Sequence, residues 1–169
     1  MEVYARYDRA TRRTQLLKDH CDSVGQLCSK ACSFLGLSKL GLLAGLLHDG
    51  GKCSSQFQEY LLKGDSSQRG SINHSSFGAQ FVAKEFADVN ACTFEGITAA
   101  LIAGASCGHH GGPFDYVNPR AKDELASRTT PQKDIHYDEV KQIFLAQGYA
   151  KDYLSNLFQC AVKEVENFS

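Results

Sequence analysis

The sequence predicts an all-α domain of about six to eight helices. Three observations carry this expectation. Apolar residues recur at three- and four-residue spacing between Leu17 and Leu35. The run from Leu40 to Leu47 is apolar nearly all round, as in a fully buried central helix. Strand signals are weak throughout the chain. At 169 residues the length fits one domain, 1–169, with a real hydrophobic core.

In chain order, Tyr4 and Tyr7 alternate with Val3 and Arg6, which allows a short extended stretch at the start. The first helix is expected over 16–35, with Leu17, Val24, Leu27, Cys28, Ala31 and Leu35 on one stripe. His20 falls on that stripe, four residues before Val24, and is expected to point inward. Gly36 stops the helix. Ser38 is expected to cap the next one, which ends at His48-Asp49 with Gly50-Gly51 just after. The two glycines suggest a sharp or close turn of the backbone. A further helix is expected from Ser55, with Gln58 completing a capping box. The segment 64–72 reads as a polar loop. Asn73 is expected to cap a helix carrying Phe77, Phe81, Val82 and Phe86. Residues 94–107 read as an apolar helix through Ile97, Leu101, Ile102 and Ala105, running into His109-His110. The pattern weakens over 111–137, where all three prolines lie, with a short helix expected over Arg120–Ser127. Helices at about 138–147 and 150–167 close the chain.

The net charge of -1 provides no global basic field for nucleic acid, so contact with phosphates would need a local patch or bound metal. Seven cysteines without a CxxC pair read as reduced, mostly buried thiols in a cytoplasmic protein. No signal peptide begins the chain, and its longest apolar run is too short to span a bilayer, so no membrane partner is expected.

Six histidines are unevenly placed. His48, His109 and His110 lie at the ends of apolar helices, His20 lies on an apolar stripe, and His74 opens a helix after a polar loop. A single buried histidine is an ordinary core residue. Five from four segments would leave many polar nitrogens unsatisfied unless they share a partner. A metal resolves this, because neutral imidazole is the commonest protein ligand for transition metals. Asp49 directly follows His48 at the end of the apolar run, and its two oxygens can bridge two ions. Such a pair, roughly 3.5–4 Å apart, can hold a phosphodiester and activate water. A nitrogen-rich set favours manganese, nickel, cobalt, iron or zinc over magnesium.

The run LAGLLHDGGKCSSQFQEYL at 43–61, NHSSFGA at 73–79 and GHHGG at 108–112 resemble the HD nuclease domain of the type I CRISPR-associated helicase-nuclease. The resemblance spans about residues 16–115. It implies a compact HD-type helical domain around a metal site, with one or two divalent transition-metal ions. It implies that His20 and His48 serve one ion, that Asp49 bridges, and that His74, His109 and His110 hold the second. Lys52 would lie at the catalytic site with Asp49 and contact substrate phosphate. The implied activity is cutting of single-stranded DNA in antiviral interference. The implied partners are a superfamily 2 helicase, in the same or a separate chain, and an RNA-guided surveillance complex.

Two positions depart from the family pattern. Gly50 stands where a bulky aliphatic residue is usual. The late-helix aspartate that completes the first metal is not found: Asp152 is the nearest candidate, while Asp115, Asp123, Asp134 and Asp138 read as solvated. The expectation is that the chain is truncated before that last helix of the family. This leaves two alternatives to the nuclease: an HD phosphohydrolase acting on nucleotides, and a catalytically incomplete domain that binds a partner or acts as a decoy. Arg6, Arg9, Arg12 and Arg13 read as a solvated surface, Phe57 and Tyr60 as core rather than base-stacking residues, and His136 as a surface residue.

Overall fold

A computed structural model describes residues 2–63, 73–110, 112, 114–116, 122–130 and 136–168. The polar loop expected at 64–72, the three prolines, Asp134 and the first residues of the helix expected at 120–127 lie outside them. Eight α-helices occur among the described residues, so the all-α expectation holds for the body of the chain. The one addition is an N-terminal hairpin. Strands β1 (Tyr4–Asp8) and β2 (Arg13–Leu16) pair antiparallel, so the extended stretch at Tyr4–Tyr7 is a true strand with a partner that the sequence did not suggest. Asp8 Oδ1 organises the turn by accepting from the amides of Ala10 and Thr11 at 2.9 and 3.2 Å.

Helix α1 (Leu17–Cys32) packs against α2 (Ser38–Leu47), but not through the expected stripe. Its buried face is Leu17, Cys21 and Gly25, whereas Leu27 is 67% exposed and Leu35 also faces out. Glycines decide the face. A Cβ on Gly45 would lie 2.7 Å from Gly25 Cα, and one on Gly41 would lie 2.5 Å from Cys28 O. The two helices therefore meet backbone to backbone, a contact that apolar periodicity does not encode. Between them Ser33–Leu35 form a 3-10 turn ended by Gly36 at φ 74°, as expected of a left-handed stop. Ser38 does not cap α2. It is already helical, and the Glu164 carboxylate accepts from the amides of Lys39 and Leu40 at 2.7 and 3.0 Å.

After α2 the chain makes a 3-10 turn, Gly50–Cys53, and enters α3 (Ser55–Lys63). The capping box at Ser55 and Gln58 does not form. Ser54 Oγ accepts from Phe57 N at 3.1 Å, one residue earlier than expected. Gln58 instead pairs its amide with the backbone of Tyr4, accepting from N at 3.0 Å and donating to O at 2.9 Å, and also donates to Lys52 O at 2.8 Å. Asn73 Oδ1 accepts from Ser76 N at 3.4 Å, in the turn before α4 (Phe77–Glu85).

Helix α5 (Phe94–Gly108) starts on a Thr93 cap and buries Thr98, Ala99, Ile102, Ala103 and Ser106. Ile97 and Leu101, part of its apolar run, are exposed. Helices α6 (Glu124–Thr129), α7 (Tyr137–Ala146) and α8 (Lys151–Phe168) complete the domain. The core closes through aromatic packing of Phe77 on Phe144 and Tyr137, and of Phe86 on Phe158. Half-buried Glu85 accepts from Tyr137, Lys141 and Lys151 at 2.8–3.1 Å and ties α4 to α7 and α8. No helix of the described residues is long and apolar enough to cross a membrane.

Candidate metal centre

Each functional side chain comes from the end or edge of an element packed on α2. His48 is the C-cap of α2, and Asp49 follows in the turn. His20 projects from the first turns of α1 beside them. His109 and His110 follow α5, and His74 precedes α4. Gly51 lets the His48-Asp49 turn approach His74: a Cβ there would collide with the His74 carbonyl and Cα. The close turn expected from the double glycine is thus a contact with the neighbouring segment, made without positive φ at either glycine.

Asp49 is 2% exposed and its two oxygens face different sets of groups. Oδ2 lies 2.9 Å from His20 Nε2, 3.1 Å from His48 Nε2 and 2.8 Å from Lys52 Nζ. Oδ1 lies 3.3 Å from His109 Nε2 and 3.8 Å from His74 Nε2, with no hydrogen bond of good geometry. His110 Nε2 stands 2.6 Å from His74 Nε2. Two groups of donor atoms result: His20, His48 and Asp49, and Asp49, His74, His109 and His110.

The backbone sets which nitrogen of two rings is free. His48 Nδ1 lies 2.7 Å from Gly45 O, and His109 Nδ1 lies 2.6 Å from Ser106 O. A carbonyl oxygen only accepts, so Nδ1 carries the hydrogen in both rings. In the neutral form each Nε2 then aims a lone pair at the Asp49 carboxylate. Two lone pairs directed at a buried anion repel it unless a cation lies between them. The same tautomer arrangement orients metal-bound histidines generally. The orphaned Oδ1 and this lone-pair geometry fit a divalent ion with nitrogen-rich ligation.

Burial would raise the Asp49 carboxyl, but the facing His109 and His48 rings and the charge of Lys52 hold it far below the usual carboxylate range. Burial lowers His20 despite the nearby Asp49, and burial with the adjacent His109 lowers His110. These two imidazoles are therefore neutral near pH 7, the form that ligates. Burial also pulls His109 down, but Asp49 and the Ser106 carbonyl outweigh it and its pKa is raised.

All six residues singled out as ligands come together here, with Lys52. Asp152 does not. It is exposed in the first turn of α8, outside both groups. Asp123 caps α6 through Ala126 N, Asp115 is exposed, and Asp138 sits in the first turn of α7. Among the described residues no carboxylate beyond Asp49 joins either group. Phe57 is buried as expected, yet it packs on His74 at 4.9 Å and under Lys52, so it also shapes the site. The orienting carbonyls of Gly45 and Ser106 were not foreseen; histidine three residues after each at a helix end was the available signal. His136 is exposed, as are the four arginines of the hairpin.

A His-Asp pair ending a buried helix, ringed by histidines from three other segments, defines an HD-type helical domain. Residues 8–166 match the family described as Cas3, HD domain, and the chain belongs to that family. No curated protein and no solved structure matches the chain. Membership places the domain among CRISPR-associated HD nucleases, and the histidine-aspartate cluster is suited to a divalent metal.

Proposed function

We propose that the chain is a divalent-metal-dependent nuclease that cuts single-stranded DNA in type I CRISPR interference, in the cytoplasm. It would work with a superfamily 2 helicase, in the same or a separate chain, after an RNA-guided surveillance complex has marked the target. The observation that carries this reading is Asp49, whose two oxygens face two separate histidine sets. His20, His48 and Asp49 would hold one ion, and Asp49, His74, His109 and His110 the other, with manganese, nickel, cobalt or iron favoured over magnesium. Bound there, divalent metal supplies an activated water and positive charge against phosphate oxygens.

The protein's own groups have distinct parts. The Gly45 and Ser106 carbonyls keep His48 and His109 in the ligating tautomer. Asp49 stays ionised and organises both groups. Lys52, whose side chain is 14% exposed, offers a cation beside the cluster to an incoming phosphate. Phe57 and the α2 core exclude water behind it.

The test offers circular single-stranded DNA and a panel of nucleotides to the protein with manganese or nickel. Cutting of DNA, lost in Asp49→Ala, is the expected result. Hydrolysis of nucleotides without cutting of DNA would replace this reading with that of a nucleotide phosphohydrolase.

One observation favours a second reading. The His20 group contains a single carboxylate, shared with the other group, so an ion there lacks compensating negative charge. A domain whose described residues bring no further carboxylate to the centre would act as a partner-binding or decoy protein instead. In that case Asp49→Ala would leave the biological effect intact.

A further inference from the structure

The metal centre adjoins a mainly apolar cavity, and His109 belongs to both. Its imidazole faces Asp49, and the residue also lines a cavity of about 350 Å³ with Gly104, Ala105, Gly108, Phe114 and Tyr116. That size lies at the lower end of small-ligand clefts, about 300–1,000 Å³. The rings of Phe114 and Tyr116 are 5.7 Å apart and tilted by 32°. Both are held from behind. The Tyr116 hydroxyl donates to Ala100 O at 2.8 Å, and its carbonyl accepts from Glu124 N at 2.7 Å. Gly104 makes the first bond possible, because a Cβ at that position would collide with the phenol. The Arg128 guanidinium lies over Phe114, 4.4 Å from the ring centroid. Its Nε is buried without a hydrogen-bond partner.

We infer that this cavity is a nucleobase subsite, in which Phe114 and Tyr116 position one base of a single-stranded DNA substrate next to the phosphate held at Asp49. The inference rests on the nuclease reading and adds how that substrate is gripped. Continuity through His109 places a base in the cavity beside the cluster. The apolar lining suits a base and not a free phosphate. Aromatic faces accept any base, as a nuclease without sequence preference needs. Arg128 adds a cation over the Phe114 ring. With a net charge of -1 the chain has little general attraction for DNA, so stacking would supply much of the grip.

Two measurements test it, one without catalysis. A short single-stranded oligonucleotide carrying 2-aminopurine should lose fluorescence on binding the wild-type protein, because the base stacks on an aromatic ring. Phe114→Leu and Tyr116→Leu should each weaken that binding about tenfold, with helicity by circular dichroism unchanged, and Phe114→Tyr should retain it. In the second, one abasic residue is moved along a DNA strand and wild-type cleavage is mapped bond by bond. Phosphodiesters at a fixed offset from the abasic position should be spared, a pattern absent from both leucine variants. Cleavage that ignores the abasic position, together with unquenched 2-aminopurine, would overturn the subsite and leave the nuclease intact. Quenching with no DNA cleavage under any metal would overturn the nuclease reading while upholding the base site.

Discussion

Lys52 Nζ lies 2.8 Å from Asp49 Oδ2, on the oxygen shared with His20 and His48, while Oδ1 has no hydrogen bond. The two sides of one carboxylate are therefore unequal. On the Oδ2 side a cation is already in place and only two imidazoles are available. On the Oδ1 side three imidazoles converge with none.

This inequality predicts the order of metal binding. Calorimetric titration with manganese should show a tight step and a weaker one. His74→Ala or His110→Ala should weaken the tight step at least about a hundredfold, and His20→Ala should leave it nearly unchanged. Lys52→Met should strengthen the weaker step by uncovering Oδ2. Thermal melts should follow mass action, with about 2.7 kcal/mol gained at a hundredfold excess over Kd and lost again on chelation. Equal effects of His20→Ala and His74→Ala on the tight step would refute the ordering.

Gly51→Ala should disturb the site from the backbone. The added methyl meets the His74 carbonyl and Cα, and neither can move without shifting the segment before α4. We expect a destabilisation of about 1–3 kcal/mol together with weaker binding at the tight step. Denaturant unfolding and titration of the same sample would separate the two effects. A variant with unchanged metal affinity would show that His74 is not positioned by this contact.

Glu85 should make stability acid-sensitive. Burial favours its neutral form, but Lys151, Lys141 and Tyr137 donate to the carboxylate and bring its pKa to about 2 from an ordinary 4.5. The folded state thus binds the proton less readily than the unfolded chain. Its stabilisation is complete above pH 4.5 and disappears as pH falls from there through about 2. Glu85→Gln should lower stability at pH 7 by about 1–3 kcal/mol, and its difference in Tm from wild type should shrink as pH falls across that acid window. A constant difference in Tm between pH 6 and 2 would rule out the linkage.

Glu164→Ala should remove the cap of α2, since its carboxylate accepts from both Lys39 N and Leu40 N. A loss of about 1 kcal/mol is expected in chemical denaturation. Ser38→Ala should have almost no effect, because Ser38 does not form the side-chain cap. The reverse ranking would restore the local cap expected at Ser38.

Much of the chemistry was legible in the sequence because it depends on residue type and helix ends. His48-Asp49 after an apolar run, and His109-His110 after another, could be placed at the ends of buried helices from periodicity alone. Where the expectations failed, another residue had taken the place of the one expected, at α2 a distant one. Glu164 took the role expected of Ser38, and Ser54 with Tyr4 displaced the capping box of Ser55 and Gln58. The apolar stripes on α1 and α5 also failed. Gly25, Gly41 and Gly45 let α1 and α2 touch through their backbones, so Leu27 was left outside, while on α5 Ile97 and Leu101 are exposed opposite the buried Ile102 and Ala103.

By itself the sequence determined the helical class, the HD family resemblance and the set of five histidines with Asp49. These follow from spacing and donor chemistry, which are local properties. Only the tertiary structure decided that Asp49 turns its oxygens to two unequal groups, that Gly45 and Ser106 carbonyls select the tautomers, and that Asp152 stays away. Those outcomes depend on how closely α1, α2, α4 and α5 approach, and backbone contact at glycines sets that distance without leaving a periodic trace in the sequence.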